Sequence, residues 1–185
     1  MRKMMFAAAL AVAAVVGVAF ADHVKSGPQT GDTVPGPFHP LNINGDSAGE
    51  KACMYCKHGD NPVAVVFART ATCPQTAKLI KKLDEVTAKH ADAKMGSYAV
   101  FMSDDDKLPA ELKKMVEKEG LKNLTVTVDN PAGPEKYKIA SDADVTVLLY
   151  TDHKVKANYS FKKGEIKDAD IESITKDVSK IAPSK

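Results

Sequence analysis

The chain has 185 residues, 26 cations against 24 anions, no tryptophan and 44% hydrophobic residues. That length suits one packed domain, and the hydrophobic share excludes a disordered chain. The formal charge of +2 includes Arg2 and Lys3; without them the charges balance, and no basic block remains to hold nucleic acid or an anionic membrane surface.

Residues 1–21 have the order of a secretory signal peptide: Arg2-Lys3, an unbroken apolar run over 6–20, and Ala19-Phe20-Ala21 before Asp22. The run is shorter than the ~20 apolar residues that span a bilayer, and no later run approaches that length. We therefore expect an exported protein, periplasmic or secreted, with no membrane span after cleavage. Cys53, Cys56 and Cys73 then meet an oxidising compartment, where an odd count leaves one thiol over.

Residues 22–40 are rich in Gly and Pro and read as an extended, partly mobile arm ending in a short strand over 38–43. A single α/β domain over 41–182 follows. Asn44-Gly45 marks a turn, and 45–61 shows neither a helical nor an alternating period. The continuous β-branched run over 62–68 predicts a central parallel strand buried on both faces. Thr76, Leu79, Ile80, Leu83 and Val86 then recur at helical spacing, and Pro74 suits the first helical position, which sets Cys73 at or beside the N-cap.

Further along come a strand over 98–102, an acidic turn at Asp104-Asp105-Asp106 without calcium-loop spacing, and a helix from Pro109 stopped by Gly120. A strand over 124–128 and a turn of helix over 135–139 precede a hairpin of strands 145–150 and 155–161. Ile171, Ile174, Val178 and Ile181 line a terminal helix that Asp168 is placed to cap. The order β-α-β-α-β-β-β-α describes a mixed sheet between helices.

Cys73 is the first candidate for chemistry, because a thiol at a helix N-terminus faces unpaired N–H groups and the positive end of the helix dipole, which favour thiolate. Thr76, one turn on, is placed to hydrogen-bond the sulfur, and Arg69, Thr70 and Thr72 to line the same loop. The alternative is a half-buried structural cysteine. Cys53-Met54-Tyr55-Cys56 has redox spacing but opens no recognisable helix; it is a loop-pinning disulfide or a second redox pair. Eight extended residues cover ~25 Å and set this pair at the entry end of the strand and Cys73 at its exit; the six steps from Cys56 to Pro62 reach back at most ~20 Å, which leaves a Cys56–Cys73 bridge open but strained for space.

Cys53, Cys56, His58 and Cys73 also form a Cys/His set, but tetrahedral sites draw on two close pairs, and no metal is expected. Lys57 after Cys56 breaks the haem-attachment motif C-x-x-C-H, and nothing else calls for a cofactor. His23, His39, His90 and His153 are scattered and read as surface residues, and the tyrosines as packing.

A buried strand, a short loop, a cysteine opening a long helix, a β-α-β arm, then a hairpin and a helix: over residues 31–181 the chain resembles the thioredoxin-like superfamily. Its branch of peroxiredoxins and periplasmic thiol-disulfide oxidoreductases is the nearest in pattern. Gly31-Asp32-x-Val34-Pro35, Val63-Ala64-Val65-Val66-Phe67, Val128-Asp129 with Lys136-Tyr137-Lys138-Ile139, and Leu148-Leu149-Tyr150-Thr151-Asp152-His153-Lys154-Val155 carry the resemblance. Thr76 stands where C-x-x-C would place its second cysteine, Val66 where the peroxiredoxin motif has proline, and Asp144 at the usual cis-proline; no arginine follows Arg69.

The resemblance implies a thioredoxin-like fold and an extracytoplasmic thiol-based redox activity, thiol-disulfide or peroxide-reducing, at Cys73. Its partner would be a thiol- or disulfide-bearing protein or small molecule. The alternatives are a non-catalytic binding module stapled by Cys53–Cys56 and, third, a metal-binding carrier.

Overall fold

The structure, a computed structural model, describes residues 24–71 and 73–182. The leader expected at 1–21, the first two arm residues and Thr72 lie outside the described residues.

The elements in chain order are β1 (Leu41–Asn42), α1 (Met54–His58), β2 (Val63–Ala68), α2 (Pro74–Lys89), β3 (Gly96–Met102), α3 (Leu108–Glu119), β4 (Leu124–Asp129), β5 (Val145–Thr151), β6 (Lys154–Phe161) and α4 (Asp168–Asp177). They build a six-stranded sheet in the order β1-β4-β3-β2-β5-β6. The apolar run forms the central strand as its composition requires, but β2 is parallel only to β3; its other neighbour, β5, runs antiparallel.

All six residues of β2 are fully buried, and their period of two divides them between two cores. Ala64, Val66 and Ala68 face Leu79, Ile80 and Leu83 of α2, Leu108 and Leu112 of α3, and Ile171 and Ile174 of α4. Val63, Val65 and Phe67 face Tyr98, Tyr150 and a cover of different origin: Val34 and Phe38 of the arm, Met54 of α1, and Tyr137 of a 3-10 turn (Glu135–Tyr137). Truncating Phe67 to alanine would cost about 3–5 kcal/mol at such a site.

Three expectations are corrected. The strand foreseen over 38–43 shrinks to two residues, because Phe38 turns its ring onto Phe67 and Tyr137 and the Asn42 amide donates to Glu50 O at 3.0 Å. Residues 54–58 form a helix where no period announced one, since five residues are too few to express it. Lys167, not Asp168, is the N-cap of α4: its N–H donates to Asp170 Oδ2 at 2.8 Å, while Asp168 pairs with Lys78 at 2.7 Å.

The arm, from Val24 onward, is docked against the β5–β6 hairpin. Gly31 N–H donates to Val155 O (2.9 Å), Val155 N–H to Asp32 O (3.0 Å) and Val34 N–H to His153 O (2.8 Å). Asn158 Nδ2 reaches Ser26 O and Pro28 O, each at 2.8 Å. Opposite, Asp84 of α2 accepts the N–H groups of Lys122, Asn123 and Leu124 at 2.7–2.9 Å, fixing the approach to β4. Burial opposes ionisation of Asp84, but these donors outweigh it and hold its carboxyl below the usual range.

Candidate functional site

β2 ends at Ala68, and its last turn of chain delivers Arg69, Thr70 and Cys73 to one end of the sheet. Cys73 is the N-cap of α2, with extended backbone (φ −73°, ψ 118°), Pro74 at the first helical position and no hydrogen bond from its side chain to the helix. It is a free cysteine, half-buried. Its side chain lines a cleft of about 460 Å³ between α2 and α3. The cleft has an apolar floor of Ala71, Pro74, Ala77 and Met115, and Lys78, Lys81, Lys82 and Lys118 stand around it. Lys78 is paired with Asp168, Lys82 with Glu85, and Lys81 donates to Glu119 O.

Arg69, Thr70 and Thr76 are brought to this end, but none bonds the sulfur, and Arg69 and Thr70 are engaged elsewhere. Arg69 spreads its guanidinium over the segment before β5: Nε donates to Ala143 O (3.0 Å), Nη1 to Pro131 O (2.6 Å) and Nη2 to Ala140 O (3.2 Å). Thr70 donates its hydroxyl to Asp144 Oδ1 at 2.6 Å. Asp144 itself is buried, and its main chain links the strand end to the hairpin, accepting from Arg69 N–H and donating to Phe161 O. All described peptide bonds are trans, including the one at Asp144. Thr76 is fully buried and its hydroxyl has no hydrogen-bond partner, so the bond expected from it to the Cys73 sulfur is not formed.

The other end of β2 carries α1 and a disulfide, Cys53–Cys56, with alpha carbons 5.3 Å apart. Contrary to the sequence reading, this C-x-x-C does open a helix: Cys53 is the N-cap of α1, and its sulfur accepts the Cys56 N–H at 3.0 Å. Cys53 is half-buried and Cys56 exposed. Closing so short a loop contributes only about 2 kcal/mol in the chain-entropy account. Other contacts already seat the segment: Met54 is 3% exposed, Tyr55 stacks on His153 with centroids 4.7 Å apart, and His58 stacks on Tyr98 at 6.2 Å.

Gly96, at the start of β3, is the notch that admits His58; a Cβ there would overlap the imidazole ring. Burial, helped by Lys57, lowers the His58 pKa to about 4. Beneath α1, His58 Nε2, His153 Nδ1 and the hydroxyls of Tyr98 and Tyr150 are buried without hydrogen-bond partners. The two hydroxyls stand near enough to perturb each other's ionisation without a bond of normal geometry, and burial raises both pKa values, that of Tyr150 to about 12. His153 is thus not the surface residue expected: it is half-buried, and its Nε2 lies 3.0 Å from Asp60 Oδ1. The sequence signal for this cluster was a glycine, Gly96, opening a buried strand, a position where close approach of another group is the usual reason.

The six residues of β2 hold the two cysteine sites about 20 Å apart. Cys73 is therefore not brought to Cys53, Cys56 and His58. Among the described residues, no three His, Cys, Asp or Glu side chains converge as metal ligands. No described helix is long and apolar enough to cross a membrane.

No family model matches the chain, and no curated protein matches its sequence. Solved structures do match in fold. A candidate thiol:disulfide interchange protein DsbE from Chlorobium tepidum is 18% identical, with a TM-score of 0.63 over 83% of this chain and 98% of that one. Peroxidoxin BcpB from Mycobacterium tuberculosis is 17% identical, with a TM-score of 0.61 over 83% of this chain and 97% of that one. A secreted disulfide oxidoreductase of the same organism, homologous to Escherichia coli DsbE, is 14% identical, with a TM-score of 0.57 over 77% and 95%. The chain therefore has the thioredoxin-like fold, in the form shared by DsbE-like and peroxiredoxin-like proteins.

Proposed function

We propose that this chain is an exported thiol-based redox protein whose reacting atom is the Sγ of Cys73. The observation that carries the reading is that the one free cysteine of a thioredoxin-like fold caps the helix after the central strand, with no side-chain hydrogen bond to the helix, beside an open cleft. Unpaired N–H groups at the start of α2 favour the negative charge that a reacting sulfur carries. The secretory pattern of residues 1–21 and the Cys53–Cys56 disulfide both suit an oxidising compartment.

Toward a disulfide partner, the Cys73 thiolate attacks one sulfur, the partner's S–S bond breaks, and its other sulfur leaves as thiolate. Toward a peroxide, it attacks one oxygen, the O–O bond breaks, and the products are Cys73 sulfenic acid and an alcohol or water after protonation. With Cys53 and Cys56 at the far end of β2, external thiols complete each cycle: one thiolate displaces Cys73 from its mixed disulfide with the partner, whereas the sulfenic acid takes two, the first condensing to a Cys73 mixed disulfide with loss of water and the second releasing the Cys73 thiolate and a disulfide. Arg69 and Thr70 act as positioning residues that hold the loop carrying Asp144 against the strand end.

The test is the iodoacetamide reaction of Cys73 at neutral pH in the folded and the urea-unfolded chain, with dimedone trapping after hydrogen peroxide. Folded protein reacting about tenfold faster than unfolded, with dimedone on Cys73, supports the reading; slower reaction overturns it. Slow reaction is the result expected of a non-catalytic binding module. That second reading is favoured by one observation: the Arg69, Thr70 and Thr76 side chains make no hydrogen bond to the sulfur.

A further inference from the structure

We infer that the Cys53–Cys56 disulfide is a second, independent exchange site, and that its electrophilic sulfur is Cys56, the C-terminal member of the pair. Three observations converge on it. The Cys56 side chain is exposed while Cys53 is half-buried, so an incoming thiol meets Cys56 first. The Cys53 sulfur already accepts the Cys56 N–H at 3.0 Å, the bond a departing thiolate needs. The helix does not depend on the disulfide for its seat, which is supplied by buried Met54, the Tyr55–His153 stack and the His58 ring in the Gly96 notch. The bond therefore opens without α1 leaving the sheet.

The step balances as follows. A thiolate of an external dithiol, protein or small molecule, attacks Cys56 Sγ; the Cys53–Cys56 bond breaks, a mixed disulfide forms at Cys56, and the electron pair leaves on Cys53 Sγ. The second thiolate of the donor then displaces Cys56. The donor ends as a disulfide, and two electrons and two protons end on the Cys53 and Cys56 thiols. A lower basicity of the leaving sulfur speeds such exchange, and the hydrogen bond to Cys53 acts in that direction. The polarity is the reverse of Cys73, where the helix-capping sulfur is itself the attacking atom.

The full chain carrying Cys73→Ser isolates this site from the one above, so that either can fail alone. Reduced glutathione is the probe, with adducts mapped by mass spectrometry and global unfolding followed by circular dichroism. The expected result is reduction of the native protein at a rate proportional to glutathione concentration, about tenfold or more above the unfolding rate, with the transient adduct on Cys56. Cys53→Ser in that background, treated instead with oxidised glutathione, should hold the Cys56–glutathione disulfide stably, the other glutathione leaving as thiolate. Reduction at the unfolding rate and independent of glutathione overturns the inference, as does an adduct on Cys53; both are read on the Cys73→Ser chain even if Cys53→Ser does not fold.

Discussion

At the C-terminal end of β2 Arg69 holds three carbonyls and Thr70 holds Asp144, while the buried Thr76 hydroxyl in the first turn of α2 meets no partner. At the N-terminal end His58, Tyr98, Tyr150 and His153 bury polar atoms that meet no partner, and a helix of five residues lies over them. Both ends carry sulfur, yet one thiol stands on a braced frame and one disulfide on a seat held by ring stacking and shape. Cross-bracing keeps a reacting thiol in place at the first end. At the second, burial holds His58 neutral, so acid acts against the folded state there.

The largest expected effect tests the bracing. Arg69→Met removes three hydrogen bonds, leaving the partly buried Ala143 carbonyl without this donor and Ala140 O with the Ala143 N–H at 3.2 Å; urea titration should show a loss of about 3–4 kcal/mol. A loss below about 1 kcal/mol would mean that the two ends do not differ in this respect.

Next is the acid response of the other end. Because the folded pKa of His58, about 4, lies below its ordinary 6.5, the unfolded chain binds the extra proton first. Stability from this group is present above pH 6.5 and is lost as pH falls from 6.5 toward 4, by up to about 3 kcal/mol. His58→Gln should flatten that window in unfolding curves, and an unchanged slope would place the titration elsewhere.

Gly96→Ala, which drives a methyl into the His58 ring, should cost about 2 kcal/mol; added to His58→Ala it should cost much less, and the coupling in the double-mutant cycle measures the notch. Thr70→Val should cost about 1 kcal/mol and alter the alkylation rate of Cys73, which separates a positioning role from a merely structural one. Smallest is Cys73→Ser, expected to change stability by less than about 1 kcal/mol while abolishing dimedone labelling.

The central strand, the helix after Cys73 and the hairpin were legible because burial imposes a period, and the residues that satisfy it are unambiguous. The short helix at Met54–His58 was not, since it holds itself through Cys53 and through stacking on groups 40 and 98 residues away. Cys73 could be placed at its cap from Pro74 alone. What its neighbours do was hidden, because Arg69 finds acceptors 62 to 74 positions downstream, and no local spacing encodes them.

The docked arm has a consequence for how copies of the chain behave together. β6 is the outer strand of the sheet, and an outer strand with free N–H and C=O groups is a template for a foreign strand. Here Gly31 and Asp32 occupy the main-chain groups of Val155, Val34 takes His153 O, Asn158 anchors the stretch before them, and exposed Lys154 and Lys156 repel like edges. The Pro/Gly-rich segment thus guards the sheet margin against self-association. A chain trimmed to begin after Val34 would show this in light scattering that grows with concentration.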